Sequence, residues 1–130
     1  MARILLTDDD PNVRGPFVRL LGQLGHDVKE AENGKHALTL LRAHTFDVVI
    51  TDIVMPEMDG FELLIAMKKE FPNCPVVVVS GSSATLELDV LSVARRLGAC
   101  GALAKPFRLQ ELVSELDRVM PVEYTGADPG

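Results

Sequence analysis

The chain has 130 residues, 47% of them hydrophobic, which suits a single domain with its own core. Charged residues make up 25% of it, a share that excludes a disordered composition. The net charge is -6 and no run of Lys or Arg occurs, which argues against direct nucleic-acid binding. No apolar segment is long enough for a signal peptide or a membrane span. We therefore expect a cytoplasmic protein without membrane insertion, with Cys74 and Cys100 as reduced thiols.

Five runs of strand length, four of them apolar and the second polar, alternate with five stretches of helical periodicity. The predicted strands are residues 4–7, 27–31, 47–52, 76–80 and 102–104. The predicted helices are residues 11–24, 34–44, 59–71, 86–97 and 109–120. Pro11 suits the first turn of the first helix, and Asp59 with Glu62 has the spacing of a helix cap.

Strict alternation of strand and helix predicts an α/β fold, with helices on both faces of a parallel sheet. For five such units we expect a flavodoxin-like (βα)5 doubly wound sheet with strand order 2-1-3-4-5. The polar second strand suits an edge position. We assign residues 1–120 to the domain and residues 121–130 to a short polar tail.

Three acids lie where ligands bind in such folds. Asp8 and Asp9 follow the first strand and Asp52 ends the third, and these two strands flank the switch point of the sheet. Carboxylates held together repel each other, so some are protonated or a cation lies between them. A few oxygen ligands favour Mg²⁺, which keeps several waters and accepts a phosphate oxygen.

Two further polar side chains reach the same rim. Ser80 ends the fourth strand and brings a hydroxyl, and Lys105 follows the fifth and brings a mobile positive charge. Each residue alone is ordinary at a strand end, where an acid commonly caps a helix and a Lys-Pro pair forms a turn. Their joint placement indicates equipment for placing a phosphoryl group on a carboxylate, Asp52.

Over about residues 3–120 the chain resembles the receiver domain of bacterial two-component response regulators. The motifs that carry this likeness are ILLTDDDP at residues 4–11, TDIVMPEMDG at 51–60, Ser80-Gly81 and Lys105-Pro106-Phe107. The resemblance implies that Asp52 accepts phosphate from the phosphohistidine of a sensor histidine kinase or histidine phosphotransfer protein. It also implies that the domain catalyses only its own phosphorylation and dephosphorylation and is otherwise not an enzyme.

The same resemblance implies a role for each site residue. Asp9 would bind Mg²⁺ directly, Asp8 mostly through water, and Asp52 and the backbone carbonyl of Val54 would complete the protein ligands. Ser80 would hydrogen-bond the phosphoryl group, and Lys105 would pair with it. The Lys105-Pro106 peptide bond is typically cis in this family.

Two departures from the family pattern concern signal output. The fifth strand usually carries Tyr or Phe where this chain has Ala102, and that ring moves inward when the switch hydroxyl, here Ser80, contacts the phosphate. The usual aromatic switch is therefore absent. The spacing from Ser80 to Lys105 is also longer than usual, with the extra length expected in residues 81–85. Leu88 and Ala102 are candidates for part of an apolar docking patch.

Only residues 121–130 follow the last helix, so we expect signalling through contact with an unknown downstream protein, or onward transfer of phosphate. The domain would be a monomer or a phosphorylation-dependent dimer, and the chain could equally be cut from a longer regulator. Two alternatives stay open. One is a receiver-like interaction module that works without phosphate, and the other is a haloacid-dehalogenase-like phosphatase with Asp8-x-Asp10 as its nucleophile motif.

Val54 provides a first test. Some receivers carry a polar side chain at this position, which helps to orient the attacking water, so the aliphatic Val54 predicts slow self-dephosphorylation. Decay of the aspartyl phosphate should be slower in the wild type than in Val54→Asn. Equal or faster loss in the wild type would contradict this expectation.

Overall fold

A computed structural model describes residues 2–53, 55, 57–81, 92–105 and 107–120. The strands are β1 (Arg3–Thr7), β2 (Asp27–Ala31), β3 (Val48–Asp52), β4 (Val76–Ser80) and β5 (Gly101–Ala104). The helices are α1 (Pro11–Gln23), α2 (Gly34–Ala43), α3 (Gly60–Glu70), α4 (residues 92–96) and α5 (Leu109–Val119). Of the helix predicted at 86–97, residues 86–91 lie outside the described part, as does the predicted tail.

The five strands form one parallel sheet in the order β2-β1-β3-β4-β5. The predicted flavodoxin-like architecture is therefore confirmed, and β2 lies at an edge as its polarity indicated. Within the described ranges, none of the helices combines the length and apolar character that crossing a lipid bilayer requires.

The sheet is covered on both faces, which explains why its central strands are continuously apolar. Successive side chains of a strand point to opposite faces. Leu5 and Val49 pack with α2 and α3 on one face. Ile4 and Leu6 pack with α1 and α5 on the other.

The strand register aligns the carboxyl ends of the strands at one edge. Thr7 of β1 pairs with Thr51 of β3, so the next residues along, Asp8 and Asp52, emerge side by side. Further along the sheet Asp52 pairs with Val79, the residue before Ser80. The polar residues that follow buried strands are thereby delivered to one rim.

Helix caps fix the loops on this rim. The Asp10 carboxylate accepts a hydrogen bond from the Asn12 N–H, and Pro11 occupies the first turn of α1. The Asp59 carboxylate accepts from the Glu62 N–H at 2.9 Å, which confirms the cap predicted for α3. The capping role in this loop thus belongs to Asp59, and Asp52 is not used for it.

Gly60 allows α3 to start directly against the chain that leaves β3. Its N–H donates to the Ile53 carbonyl at 2.7 Å, and a Cβ at this position would lie 2.7 Å from the Ile53 Cα. That obstacle is backbone and cannot turn aside. The turn itself is made before Gly60, by Glu57 and Met58, which have positive φ angles of 48° and 79°.

We expect Gly60→Ala to lower the free energy of unfolding by about 1–3 kcal/mol, the usual cost of forcing extra atoms into a packed contact. The matched control is Gly22→Ala in α1, where an added Cβ meets nothing within 4 Å. That change should raise the free energy of unfolding by about 0.5–1 kcal/mol. Urea unfolding followed by circular dichroism measures both. Equal stability of the two variants would contradict the close approach.

Candidate functional site

Three carboxylates meet where β1 and β3 end. One oxygen from each of Asp8, Asp9 and Asp52 lies within 4.8 Å of the others. Asp8 is buried, Asp52 is mostly buried, with 16% of its side chain exposed, and Asp9 is exposed. The convergence predicted from the strand ends is therefore present, with acids graded from the interior to solvent.

Asp8 is held by contacts on both sides of its carboxylate. Oδ1 accepts a hydrogen bond from the Asp10 N–H at 2.9 Å, and Oδ2 lies 3.4 Å from the Lys105 Nζ. Its backbone N–H donates to the Ala31 carbonyl, which extends the β1–β2 pairing by one residue. The Asp8 carboxyl group is therefore held in place in the floor of the site.

Asp52 also has a contact on each carboxylate oxygen and is more exposed than Asp8. Its Oδ1 accepts from the Ile53 N–H at 2.7 Å, and its Oδ2 lies 3.7 Å from the Lys105 Nζ. Burial raises the pKa of the Asp52 carboxyl above its ordinary value. The charge of Lys105 opposes this rise in pKa, while Asp8 and Asp9 add to it. The pocket thus disfavours the ionised form of Asp52.

Ser80 and Lys105 occupy adjacent positions on the same rim. Ser80 is buried at the end of β4, and its carbonyl accepts a hydrogen bond from the Lys105 N–H at 2.8 Å. The Lys105 stem passes over Gly81, where a Cβ would lie 3.3 Å from the Lys105 Cδ. This path brings the ammonium group to both Asp8 and Asp52.

The donor set suits a hard divalent cation. It consists of carboxylate oxygens, one of them exposed, and hard oxygen ligands with room for water are what Mg²⁺ prefers. Val54 and Pro106 lie outside the described residues. The carbonyl ligand at Val54 and the cis Lys105-Pro106 bond therefore stay predictions.

The sequence patterns did not single out two contacts that support the site. The Arg14 guanidinium, on α1, donates to the Asp8 carbonyl. The Asn33 side chain caps α2 and also donates to the Glu57 carboxylate at 3.4 Å, which ties α2 to the loop after β3. The sequence feature that could have indicated Arg14 is a basic residue one helical turn after the acids.

Comparison with known proteins decides the family. The family model described as the response regulator receiver domain matches residues 4–117. The chain belongs to this family. It is 37% identical over 120 residues to the response regulator receiver protein CpdR of Brucella abortus, covering 92% of this chain and 98% of that protein. It is 36% identical to the transcriptional regulator NtrC of Azospirillum brasilense, but covers only 24% of it.

Solved receiver structures share this fold. The chemotaxis protein CheY4 of Vibrio cholerae matches with a TM-score of 0.82 and 30% identity, over 92% of this receiver domain and 99% of that chain. The response regulator TrrA of Thermotoga maritima, in complex with Mg(2+)-BeF, matches with a TM-score of 0.79 and 29% identity. That match covers 92% of this receiver domain and all of TrrA, at 100%.

The family sets the general activity of this receiver domain. Receiver domains are generally non-enzymatic phosphoacceptors of two-component systems, which bind Mg²⁺ at an acidic pocket and interact with histidine kinases or phosphotransfer proteins. The alternative of a haloacid-dehalogenase-like phosphatase finds no support in these matches. In longer relatives such as NtrC the receiver is one part of a larger protein.

Ala102 lies in β5, a strand made mostly of small residues. The Ala102 N–H donates to the Glu115 carboxylate at 3.2 Å, and Arg118 donates to the Cys100 carbonyl at 2.8 Å. Side chains of α5 thus provide hydrogen-bond partners for backbone groups at this edge of the sheet. Next to Ala102 is a shallow recess of about 360 Å³ that is also lined by Leu103 and Ser114. Leu88 lies outside the described residues, so the docking patch predicted with it is untested.

The raised pKa of Asp52 predicts a pH-dependent stability. Because the folded-state pKa exceeds the unfolded one, the ionised carboxyl opposes folding above the raised value. Metal-free Asp52→Asn should therefore be more stable than the wild type at neutral pH. This advantage should fade as the pH falls below the raised pKa, and it should vanish below the ordinary pKa of an Asp carboxyl, where Asp52 is protonated in both states.

Asp59→Asn is the control for this comparison, because Asn caps a helix as well as Asp and keeps the same hydrogen bond. It removes one acid from the same loop outside the cluster, so its stability should follow that of the wild type. Urea unfolding at several pH values measures the three proteins. An Asp52→Asn curve parallel to the wild type at every pH would contradict the burial argument.

Proposed function

We propose that Asp52 is the phosphoacceptor of this receiver domain. One observation carries the proposal: at the end of β3, Asp52 lies 3.7 Å from the Lys105 Nζ and within the cluster formed with Asp8 and Asp9. A carboxylate oxygen of Asp52 forms the new P–O bond as the P–N bond to a donor phosphohistidine breaks. The released imidazole stays with the kinase or phosphotransfer protein.

Lys105 and Ser80 act on the transferred group in this proposal. Lys105 already contacts Asp52 and Asp8, so its ammonium can pair with a phosphoryl oxygen without a large movement. Ser80, fixed at the neighbouring strand end, supplies a hydroxyl donor from the buried side. Together they place positive charge and a hydrogen bond where negative charge develops.

Asp8 and Asp9 would hold Mg²⁺, with Asp52 and the Val54 carbonyl completing the protein ligands. The cation would neutralise charge on the phosphoryl oxygens during transfer. Asp9 is exposed and therefore accessible to a hydrated ion, whereas buried Asp8 forms the inner wall. The grading from Asp8 to Asp9 thus supports direct ligation by Asp9.

The output is a change in protein contacts rather than a reaction on a substrate. We assign residues 1–120 to the receiver domain, which signals by contact with a downstream protein or passes phosphate onward. Ala102 supplies no ring to swing inward, so the signal would spread through the backbone between Ser80 and Lys105, which hydrogen-bond directly. Phosphorylation-dependent dimerisation remains part of this proposal.

The experiment is phosphorylation with acetyl phosphate and Mg²⁺, followed by intact-protein mass spectrometry. The wild type should gain one phosphoryl group and Asp52→Asn none. Asp10→Asn is the matched control, since it removes a neighbouring acid but keeps the cap of α1, and it should be phosphorylated like the wild type. Asp9→Asn should react at least roughly tenfold more slowly, in line with the loss seen when a metal site is disturbed.

Three outcomes bear on the proposal. Gain in the wild type that disappears with chelator and in Asp52→Asn supports it. Gain retained in Asp52→Asn would place the phosphate elsewhere and overturn it. No gain in a folded wild type would favour an interaction module that works without phosphate.

A further inference from the structure

The position of the Asp9 carboxylate is not explained by contacts of that side chain. It is exposed, and the described residues make no hydrogen bond or ion pair to its carboxylate. Even so, its oxygen lies within 4.8 Å of those of Asp8 and Asp52. The backbone determines which rotamers a side chain can adopt, so the orientation of the Asp8–Asp9 peptide limits where the Asp9 carboxylate can point.

Arg14 is the group that fixes this peptide. Its Nη1 donates to the Asp8 carbonyl, which belongs to the peptide plane leading into Asp9. Its Nε donates to the Glu30 carboxylate of β2 at 2.9 Å. Only 17% of the Arg14 side chain is exposed, so the guanidinium is held between α1, β2 and the loop.

The backbone of Arg14 is hydrogen-bonded to the loop that contains Asp8 and Asp9. The Arg14 backbone N–H donates to the Asp10 carbonyl at 2.9 Å, and the Asp10 N–H donates to the Asp8 carboxylate. The guanidinium therefore closes a ring of hydrogen bonds around residues 8–14. A planar guanidinium bridges a carbonyl and a carboxylate in one fixed geometry, whereas an ammonium is a mobile point charge that fixes the angle between them less well.

We propose that Arg14 is a positioning residue, which holds the Asp8–Asp9 peptide and thereby aims the Asp9 carboxylate into the acid cluster. The inference rests on the proposed function for its metal, but the geometry that it assigns to Arg14 exists in the metal-free protein. Arg14 does not touch the reacting atoms and acts through Asp9.

For the removal of Arg14, a purely electrostatic effect and a positioning role predict opposite changes in Mg²⁺ affinity. Arg14 is a cation beside an acid cluster, so it repels a divalent cation, and its removal by charge alone would strengthen Mg²⁺ binding. If Arg14 positions Asp9, its removal weakens Mg²⁺ binding instead. The sign of the change separates the two roles.

The test compares Mg²⁺ affinity by isothermal titration calorimetry in the wild type, Arg14→Met, Arg14→Lys and Arg19→Met. Arg19→Met is the matched control, because Arg19 is an exposed arginine of the same helix and its loss changes the net charge equally. Arg14→Met should bind Mg²⁺ roughly tenfold more weakly, as is common when a group that orients a metal ligand is lost. Arg14→Lys should recover part of this loss, and Arg19→Met should match the wild type.

A second measurement works without metal and without phosphate. The Asp8 N–H donates to Ala31 and the Asp10 N–H to the Asp8 carboxylate, so both amides report on the loop. Hydrogen exchange by NMR in metal-free Arg14→Met should be about tenfold faster at these two amides. The Val77 amide in buried β4 is the reference for global unfolding and should change little.

Weaker Mg²⁺ binding together with selective exchange at Asp8 and Asp10 supports the positioning role. Unchanged or tighter Mg²⁺ binding by Arg14→Met would overturn it, as would acceleration of exchange that is equal at Val77. If the wild type itself binds no Mg²⁺, the proposed function fails, and the exchange measurement alone then decides the role of Arg14.

Discussion

Parallel pairing of strands that end in register is the constraint on which the rest of this receiver domain depends. Pairing of Thr7 with Thr51 brings the exits of β1 and β3 together, and pairing of Ser80 with Ala104 does the same for β4 and β5. Loops alone would hold such polar residues imprecisely. Buried valines, leucines and isoleucines on both faces of the sheet hold them with the rigidity of a core.

The same constraint concentrates negative charge. Three carboxylates lie close together, and the Lys105 ammonium contacts two of them, those of Asp8 and Asp52. Two unit charges 4 Å apart attract or repel by about 4 kcal/mol at an effective dielectric constant of 20. Lys105 offsets part of the repulsion, but burial, the largest cause, together with Asp8 and Asp9 keeps the pKa of Asp52 above its ordinary value. A divalent cation would reduce the negative charge of the acid cluster, and a transferred phosphoryl group would add negative charge to it. The two are therefore expected to bind the site together.

The strand ends could be predicted because each lies where a short apolar run stops, so Asp8, Asp52, Ser80 and Lys105 follow from patterning and topology. The role of Gly60 was harder to predict from the sequence. Its Asp-Gly sequence suggests a turn, yet the positive φ angles belong to Glu57 and Met58, and Gly60 is needed for close approach to Ile53. Periodicity shows which face of a helix is apolar, but not the reach of a polar side chain across elements.

Arg14 and Glu115 illustrate that limit, since each donates to or accepts from a backbone group outside its own helix, which the helical periodicity does not predict. In our proposal, sheet geometry selects Asp52 among the neighbouring acids as the phosphoacceptor. Phosphorylated protein can be reduced with borohydride, which converts an aspartyl phosphate to homoserine, and the peptides then sequenced by mass spectrometry. We expect homoserine at position 52, with Asp8, Asp9 and Asp10 unmodified; homoserine at position 8 or 9 instead would contradict the assignment of Asp52.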